Sequence, residues 1–245
     1  MCGVEIVVVI PARMASSRCP GKPLLDLCGR PMVQWVFEAA SRASVASKVV
    51  IATPDREIAD AARSFGAEAI LTSAGHRTGT DRVAEVARLL KADAFLNVQG
   101  DEPLIPPATV DACAAPLLDG RAEMASIYDW AAEDDENDPA VVKVVTDSED
   151  RALYFSRSPI PFRQGADTDR AKKHVGVYAY TGAVLERFVS WEPAPLEKME
   201  RLEQLRFLEN GVAIQMAHAE AGPVAVDTPE QAERVRQILS GRESK

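Results

Sequence analysis

Cysteine is scarce in this chain, and basic residues are outnumbered. Cys2, Cys19, Cys28 and Cys113 are scattered without CxxC spacing, which argues against a zinc site or a disulfide framework and points to a reducing compartment. Against 28 lysines and arginines stand 37 aspartates and glutamates, for a formal net charge of −9. That balance disfavours nonspecific nucleic-acid binding, which sets cationic side chains against phosphate. No apolar stretch approaches the ~20 residues needed to span a bilayer. The start, Met1-Cys2-Gly3-Val4-Glu5, carries an acid where a secretory signal is basic, and the apolar run at 6–10 is too short for one. A cytoplasmic protein is expected. The glycine patterns GxGxxG and GxxxxGKS/T are also missing, so neither a dinucleotide-binding oxidoreductase nor a P-loop enzyme fits.

What is present reads as an enzyme core. Hydrophobic residues make up 47% and charged residues 27%, as in globular proteins. A length of 245 residues suits one α/β domain with a small lobe, able to fold without a metal or disulfide staple. Residues 4–10 form a continuous β-branched run, expected of a strand buried on both faces. Helices are expected at 31–43, with proline in the first turn, at 54–65, closed by Gly66, at 80–90 and at 106–118. Strands are expected between them at 48–53, 68–71 and 94–98. This alternation means crossover units and a mostly parallel central sheet flanked by helices. The second half is mixed. Residues 124–130, 141–145, 152–156 and 174–180 read as strands and 158–171 as a loop. Residues 196–208 read as one amphipathic helix, 212–217 as a strand and 231–239 as the closing helix. The chain is expected to be a single domain over 1–245 with an inserted lobe around 124–190. The acidic run 133–138 reads as a solvated face.

The most informative segment is 11–23, PARMASSRCPGKP, directly after the first strand. Ligands of open α/β sheets bind at the carboxyl ends of strands. Arg13, Arg18 and Lys22 put three cations within ten residues, Gly21 permits close backbone approach, and Ser16 and Ser17 add donors. Such a loop can neutralise a triphosphate through charge-assisted hydrogen bonds. Three cations alone would equally suit a solvated loop; their place after a buried strand favours function.

The pattern PAR-x-x-S-x-R-x-PGKP resembles the nucleotide loop of the 3-deoxy-manno-octulosonate (Kdo) cytidylyltransferases, the CMP-Kdo synthetase family. The likeness continues in order through GHRTGTDR (75–82), NVQGDEP (97–103), VVKVVTD (141–147), ALYFSRSPIP (152–161), HVGVYAY (174–180), LEQLR (202–206) and VDTPE (226–230), covering nearly the whole chain. Loops of PAR-x-x-S type also occur in related sialic acid enzymes, but LEQLR and YFSRSPIP favour the octulosonate family. Cys19 departs from it, standing where a large apolar residue is commoner. The resemblance implies an α/β fold of the nucleotide-diphospho-sugar transferase type, with a mixed sugar-binding and dimerisation lobe, magnesium dependence and a homodimer. The implied reaction transfers CMP from CTP to the anomeric hydroxyl of Kdo, releasing pyrophosphate, for lipopolysaccharide synthesis. An amino-Kdo variant or a sialic-acid-type sugar is the alternative acceptor. CTP and Kdo are the expected partners, with no nucleic acid and no membrane.

Such a reaction is catalysed mainly by positioning and charge neutralisation. The resemblance assigns catalysis to Arg13, Arg18, Lys22 and Asp101, and nucleotide contacts to Pro11, Ala12, Arg13, Ser16, Lys22, Arg77, Thr78 and Gln99. Magnesium keeps much of its water, so one or two carboxylates plus phosphate oxygens suffice. Asp101, in the turn after the strand at 94–98, and Asp227, before the last helix, are the expected ligands. Helix capping alone would account for Asp227, and Thr78 with Asp81 could equally cap the helix that follows them. Arg157 is the expected clamp on the sugar carboxylate, since its planar fork matches one. His174, Tyr178, Glu203 and Gln204 are hydroxyl partners by resemblance. On pattern alone Tyr178 suits a core position, and two adjacent helical residues such as Glu203 and Gln204 cannot both face the core. No general base is singled out.

Overall fold

The computed structural model describes residues 4–15, 20–165, 170–222 and 224–243. The chain begins with β1 (Ile6–Pro11), a hairpin of β2 (Asp26–Leu27) and β3 (Arg30–Pro31), and α1 (Met32–Ala40). Then come β4 (Lys48–Thr53), α2 (Arg56–Ser64), β5 (Glu68–Leu71), α3 (Gly79–Leu89), β6 (Ala94–Val98) and α4 (Pro107–Leu118). The second half runs β7 (Met124–Trp130), α5 (Glu133–Asn137), β8 (Lys143–Thr146), β9 (Ala152–Ser156), β10 (Lys172–Tyr180) and α6 (Gly182–Ser190). It closes with α7 (Pro195–Glu200), α8 (Gln204–Glu209), β11 (Gln215–His218) and α9 (Pro229–Glu243).

The main sheet has the order β11-β7-β10-β6-β1-β4-β5, with β8 and β9 branching from β10. β1 pairs in parallel with β4 and β6, and β4 with β5. β10 runs antiparallel to both β6 and β7, while β11 is parallel to β7. Along the main path, therefore, every strand but β10 points the same way, and the carboxyl ends of β1, β4 and β6 meet on one edge. The mostly parallel α/β architecture expected from the sequence is the one observed.

Both faces of the sheet are covered. Each residue from Ile6 to Ile10 is at most 1% exposed, as the unbroken β-branched run requires. Ile6, Val8 and Ile10 pack with Val33, Ile58 and Val110 of α1, α2 and α4. Val7 and Val9 pack with Val83 of α3, Leu185 of α6 and Phe207 of α8. Burial of each such side chain contributes about 1.5–3 kcal/mol. A smaller core of Leu27, Met32, Leu104, Val226, Val235 and Leu239 fastens α9 over the β2–β3 hairpin. Among the described residues, no helix is long and apolar enough to cross a membrane.

Several local expectations need correcting. The helix expected at 196–208 is two helices, broken at Arg201, which adopts a left-handed conformation with φ 55°. The break lets Arg206, 1% exposed, turn back and donate from Nε to Glu197 Oε2 at 2.7 Å. That buried pair and the apolar anchors Leu205 and Phe207 outweigh the local preference for one helix. The strand expected from 212 begins at Gln215, although Val212 and Ile214 are already buried ahead of it. Helix α6 was not anticipated; Thr181 caps it, accepting from the Val184 amide at 3.3 Å. The acidic run 133–138 is only partly a solvated face. Asp135 pairs with Lys173 at 3.1 Å and Glu136 with Arg163 at 2.8 Å.

Candidate active site

The loop after β1 is held by the neighbouring strand ends. Ala12 donates its amide to the Ala52 carbonyl at 2.9 Å, and Met14 donates to Asp55 Oδ2 at 2.7 Å. The loop closes at Gly21, whose φ of 72° lies in the left-handed region that glycine adopts without steric cost. Lys22 follows and is 9% exposed. Its Nζ donates to Asp101 Oδ2 at 2.8 Å and to Asp227 Oδ1 at 3.0 Å. Burial pulls the Lys22 pKa down, but the two carboxylates outweigh it and hold the ammonium above the usual lysine range. Cation and both acids thus face one another, although they come from three distant segments.

Two devices make that meeting possible. A Cβ at Gly100 would lie 2.9 Å from the Pro11 carbonyl oxygen, so the β1 and β6 ends approach closely because position 100 is glycine. The Val226 amide donates to the Asp101 carbonyl at 2.9 Å, which docks the segment before α9 onto the β6 turn. Asp227 is not the side-chain cap of that helix. Thr228 Oγ1 accepts from the Gln231 amide at 3.3 Å, and Gln231 Oε1 accepts from the Asp227 amide at 2.6 Å. With capping done by neighbours, the Asp227 carboxylate turns to Lys22. Beside them, burial and the Asp101 charge push the Glu102 carboxyl up to about 8.

A cavity of about 300 Å³ opens over this cluster. Of the expected nucleotide, catalytic and metal residues, Pro11, Ala12, Arg13, Lys22, Thr78, Gln99, Asp101 and Asp227 line it. Ser16 and Arg18 fall outside the described residues. Arg77 does not line the cavity: its side chain is exposed and its amide donates to Asp81 Oδ2 at 3.1 Å. The capping alternative for Thr78 is realised, since its hydroxyl accepts from the Asp81 amide at 3.1 Å while the Asp81 carboxylate accepts from the Thr78 amide. Gln99 is steadied by its bond to Asn97 Oδ1 at 3.2 Å. Gly79, of the expected Arg77-Thr78-Gly79 turn, also lines the cavity, and sequence reasoning missed Arg82 and Gly100, which line it too. Helical spacing offered a signal for Arg82, four residues after Thr78 and hence on the same face.

The sugar candidates form a second cluster. His174, Tyr178 and Tyr180 share one face of β10, and Tyr178 is in register with Asn97 of β6. His174 Nε2 lies 3.0 Å from Ser126 Oγ, its ring edge-on to Phe155 at 5.1 Å. Tyr178 donates to Gln204 Oε1 at 3.3 Å. Glu203 accepts from the Thr80 hydroxyl, adjacent to Gly79 of the cavity wall, so the two clusters adjoin. Glu203 Oε2 and Gln204 Nε2 are buried with no hydrogen-bond partner among the described residues. Arg157 stands apart from the cavity lining. Its guanidinium donates to the Glu200 carbonyl at 3.1 Å and the Pro139 carbonyl at 2.9 Å.

Burial pushes the His174 imidazole down to about 3, while burial raises Glu203 despite the nearby Thr78 and Thr80 hydroxyls. Tyr178 is raised by burial and by the Glu203 charge. For His174 the unfolded chain takes up a proton that the folded protein refuses. Stability is therefore expected to fall as pH drops from 6.5 toward about 3, by at most about 1.4 kcal/mol per pH unit. Thermal unfolding of His174→Gln between pH 6.5 and 4.5 should show a shallower decline than the parent; identical slopes would contradict this.

The family model described as cytidylyltransferase matches residues 7–214. The 3-deoxy-manno-octulosonate cytidylyltransferase of Aliivibrio fischeri is 47% identical over 249 residues, spanning 97% of this chain and 100% of that protein. Its counterpart of the same name in Pseudomonas syringae is 49% identical over 251 residues, spanning 96% and 98%. A solved structure of CMP:2-keto-3-deoxy-manno-octonic acid synthetase complexed with CTP matches with a TM-score of 0.93 at 40% identity, over 97% of this chain and 99% of that one.

Proposed function

We propose, from the premise that this chain belongs to the cytidylyltransferase family, that it transfers CMP from CTP to the anomeric hydroxyl of Kdo, giving CMP-Kdo and pyrophosphate. The observation that carries this reading is the meeting of Lys22 with Asp101 and Asp227 in a cavity shared with Arg13 and Gln99. Such a site suits a reaction in which charge, rather than covalent chemistry, must be managed.

Arg13 and Lys22 neutralise the phosphates and the leaving pyrophosphate, assisted by Arg18 and Ser16. Pro11, Ala12, Thr78 and Gln99 seat the nucleoside, with Arg77 at the rim of the same turn. Asp101 and Asp227 are the metal ligands in this reading. Their oxygens converge within 3.0 Å of one ammonium, so a cation already sits between two hard donors. With phosphate oxygens and water these suit Mg2+. When bound, the ion supplies charge neutralisation at the reacting phosphates.

On the acceptor side, the buried acceptor Glu203 Oε2 and donor Gln204 Nε2 lack partners, and a polyhydroxylated sugar supplies both. His174, neutral because burial depresses its pKa, and Tyr178 complete that wall. Arg157 reaches the sugar carboxylate by exchanging the Pro139 and Glu200 carbonyls for it. The reading extends to a cytoplasmic homodimer serving lipopolysaccharide synthesis, built on one domain whose 124–190 lobe supplies sugar and dimer contacts. Exposed Trp130 and Phe162 on that lobe support the dimer.

Pyrophosphate release with CTP, Mg2+ and Kdo tests the activity, with UTP and sialic acid as comparison substrates. Release confined to CTP with Kdo is expected; equal release with sialic acid would reassign the acceptor, and none with any sugar would refute the reading. Gln204→Leu removes an unsatisfied donor but also the acceptor of the buried Tyr178 hydroxyl, so thermal stability should fall by about 1–3 kcal/mol while the KM for Kdo rises about tenfold. The KM for CTP should hold; a parallel rise in both would place Gln204 outside the sugar site.

A further inference from the structure

Arg82 is a cation the reaction scheme above does not use. It is 3% exposed, and a buried charge needs compensation. Its hydrogen-bond partners among the described residues are neutral: Nη1 donates to Thr72 Oγ1 at 2.6 Å and to the Ser73 carbonyl at 3.2 Å. The nearby acids are engaged elsewhere. Glu85 accepts from the Ser73 amide and pairs with His76, Asp55 accepts from the Met14 amide, and Asp81 caps α3. Burial and the like charge of Arg13 work against the Arg82 cation and outweigh the opposing charges of Glu85, Asp55 and Asp81, so its pKa falls below the usual arginine range.

Thr78, Gly79 and Arg82 present one face of the first turns of α3 to the cavity, where the helix's unpaired amides also favour negative charge. Two guanidiniums therefore border one hollow, while its carboxylates, Asp101 and Asp227, are bound to Lys22. An anion placed between Arg13 and Arg82 would relieve their repulsion and compensate the buried charge.

We propose that Arg82 is a further phosphate-binding residue, holding the phosphate chain of CTP from the α3 side while Lys22 holds it from the loop. The proposal rests on the cytidylyltransferase reading. A brace for the Thr72–Ser73 segment would not discriminate ligands by charge, whereas a phosphate contact does.

The test is competitive binding of CTP, CMP and cytidine to full-length wild type, Arg82→Gln and Arg82→Lys, with thermal unfolding measured on each. Arg82→Gln should weaken CTP by about 30-fold or more, CMP less, and cytidine hardly at all. Arg82→Lys should recover part of the loss for CTP, and raised salt should narrow the gap between wild type and Arg82→Gln. If Arg82→Gln does not fold, Arg82→Lys decides, with a several-fold loss expected for CTP and none for cytidine. Equal weakening of cytidine and CTP, or no weakening, overturns the proposal. Wild type that binds no CTP overturns the underlying reading as well, whereas wild-type binding beside an unchanged variant overturns only the role of Arg82.

Discussion

Lys22→Met is expected to lower turnover by about 10³-fold while making the nucleotide-free protein more responsive to magnesium. Methionine nearly matches the lysine stem in length but carries no charge. In the proposed reaction the leaving pyrophosphate would lose a cation, and Asp101 and Asp227, bridged at 2.8 and 3.0 Å by one ammonium, would lose the charge they share. Both carboxylates are about one-third exposed, so the destabilisation should be about 1–2 kcal/mol rather than the larger cost of a fully buried unpaired charge. Mg2+ can then occupy the ground the ammonium left, and a cation that binds only the folded state raises the unfolding temperature. Thermal unfolding with and without Mg2+ should therefore show a larger shift in Lys22→Met than in wild type. Turnover within tenfold of wild type would contradict the role of Lys22. Because the folded-state pKa of Lys22 is raised above 10.5, its contribution is intact at neutral pH and is lost only as pH climbs past that value.

Asp101→Asn should cost about 10²–10³-fold in turnover and raise the magnesium concentration needed for half-maximal rate. The substitution spares the backbone bond from the Val226 amide to the Asp101 carbonyl, so the docking of α9 should survive and the loss should be chemical. Asp227→Asn should shift magnesium dependence in the same direction and leave the helix cap in place, because Thr228 and Gln231 cap the helix without its side chain. If Asp227→Asn lowers stability by about 1 kcal/mol or more and leaves magnesium dependence untouched, Asp227 is structural.

The parallel half of the fold was legible because its signals are local and unconflicted. A β-branched run such as 6–10 suits little besides a doubly buried strand, and the helices between the strands carry proline and glycine at their ends. What escaped depends on contacts between distant segments. The break at Arg201 answers to the buried Arg206–Glu197 pair, which helical periodicity does not register. The segment at 226–230 held two neighbouring cap-forming residues, and only the docked helix shows that Thr228 does the capping, leaving Asp227 for Lys22. Arg82 drew no separate reading, because its burial is a tertiary property. Arg157 sat correctly at a strand end, yet the Pro139 and Glu200 carbonyls now hold it. Arg13 and Lys22 were legible from their place after β1 and Asp101 from the turn after β6, whereas Asp227 was reached mainly through family resemblance.

The account turns on one cavity in which Lys22 and Arg13 grip the phosphates while Asp101 and Asp227 hold a metal against them. A crystal structure with CTP and Mg2+ bound tests this most directly. It should show Lys22 Nζ moved from the two carboxylates to a phosphate oxygen, with the ion on Asp101 and Asp227 in its place. Phosphates bound away from Lys22, or a metal with neither aspartate in its coordination shell, would contradict it.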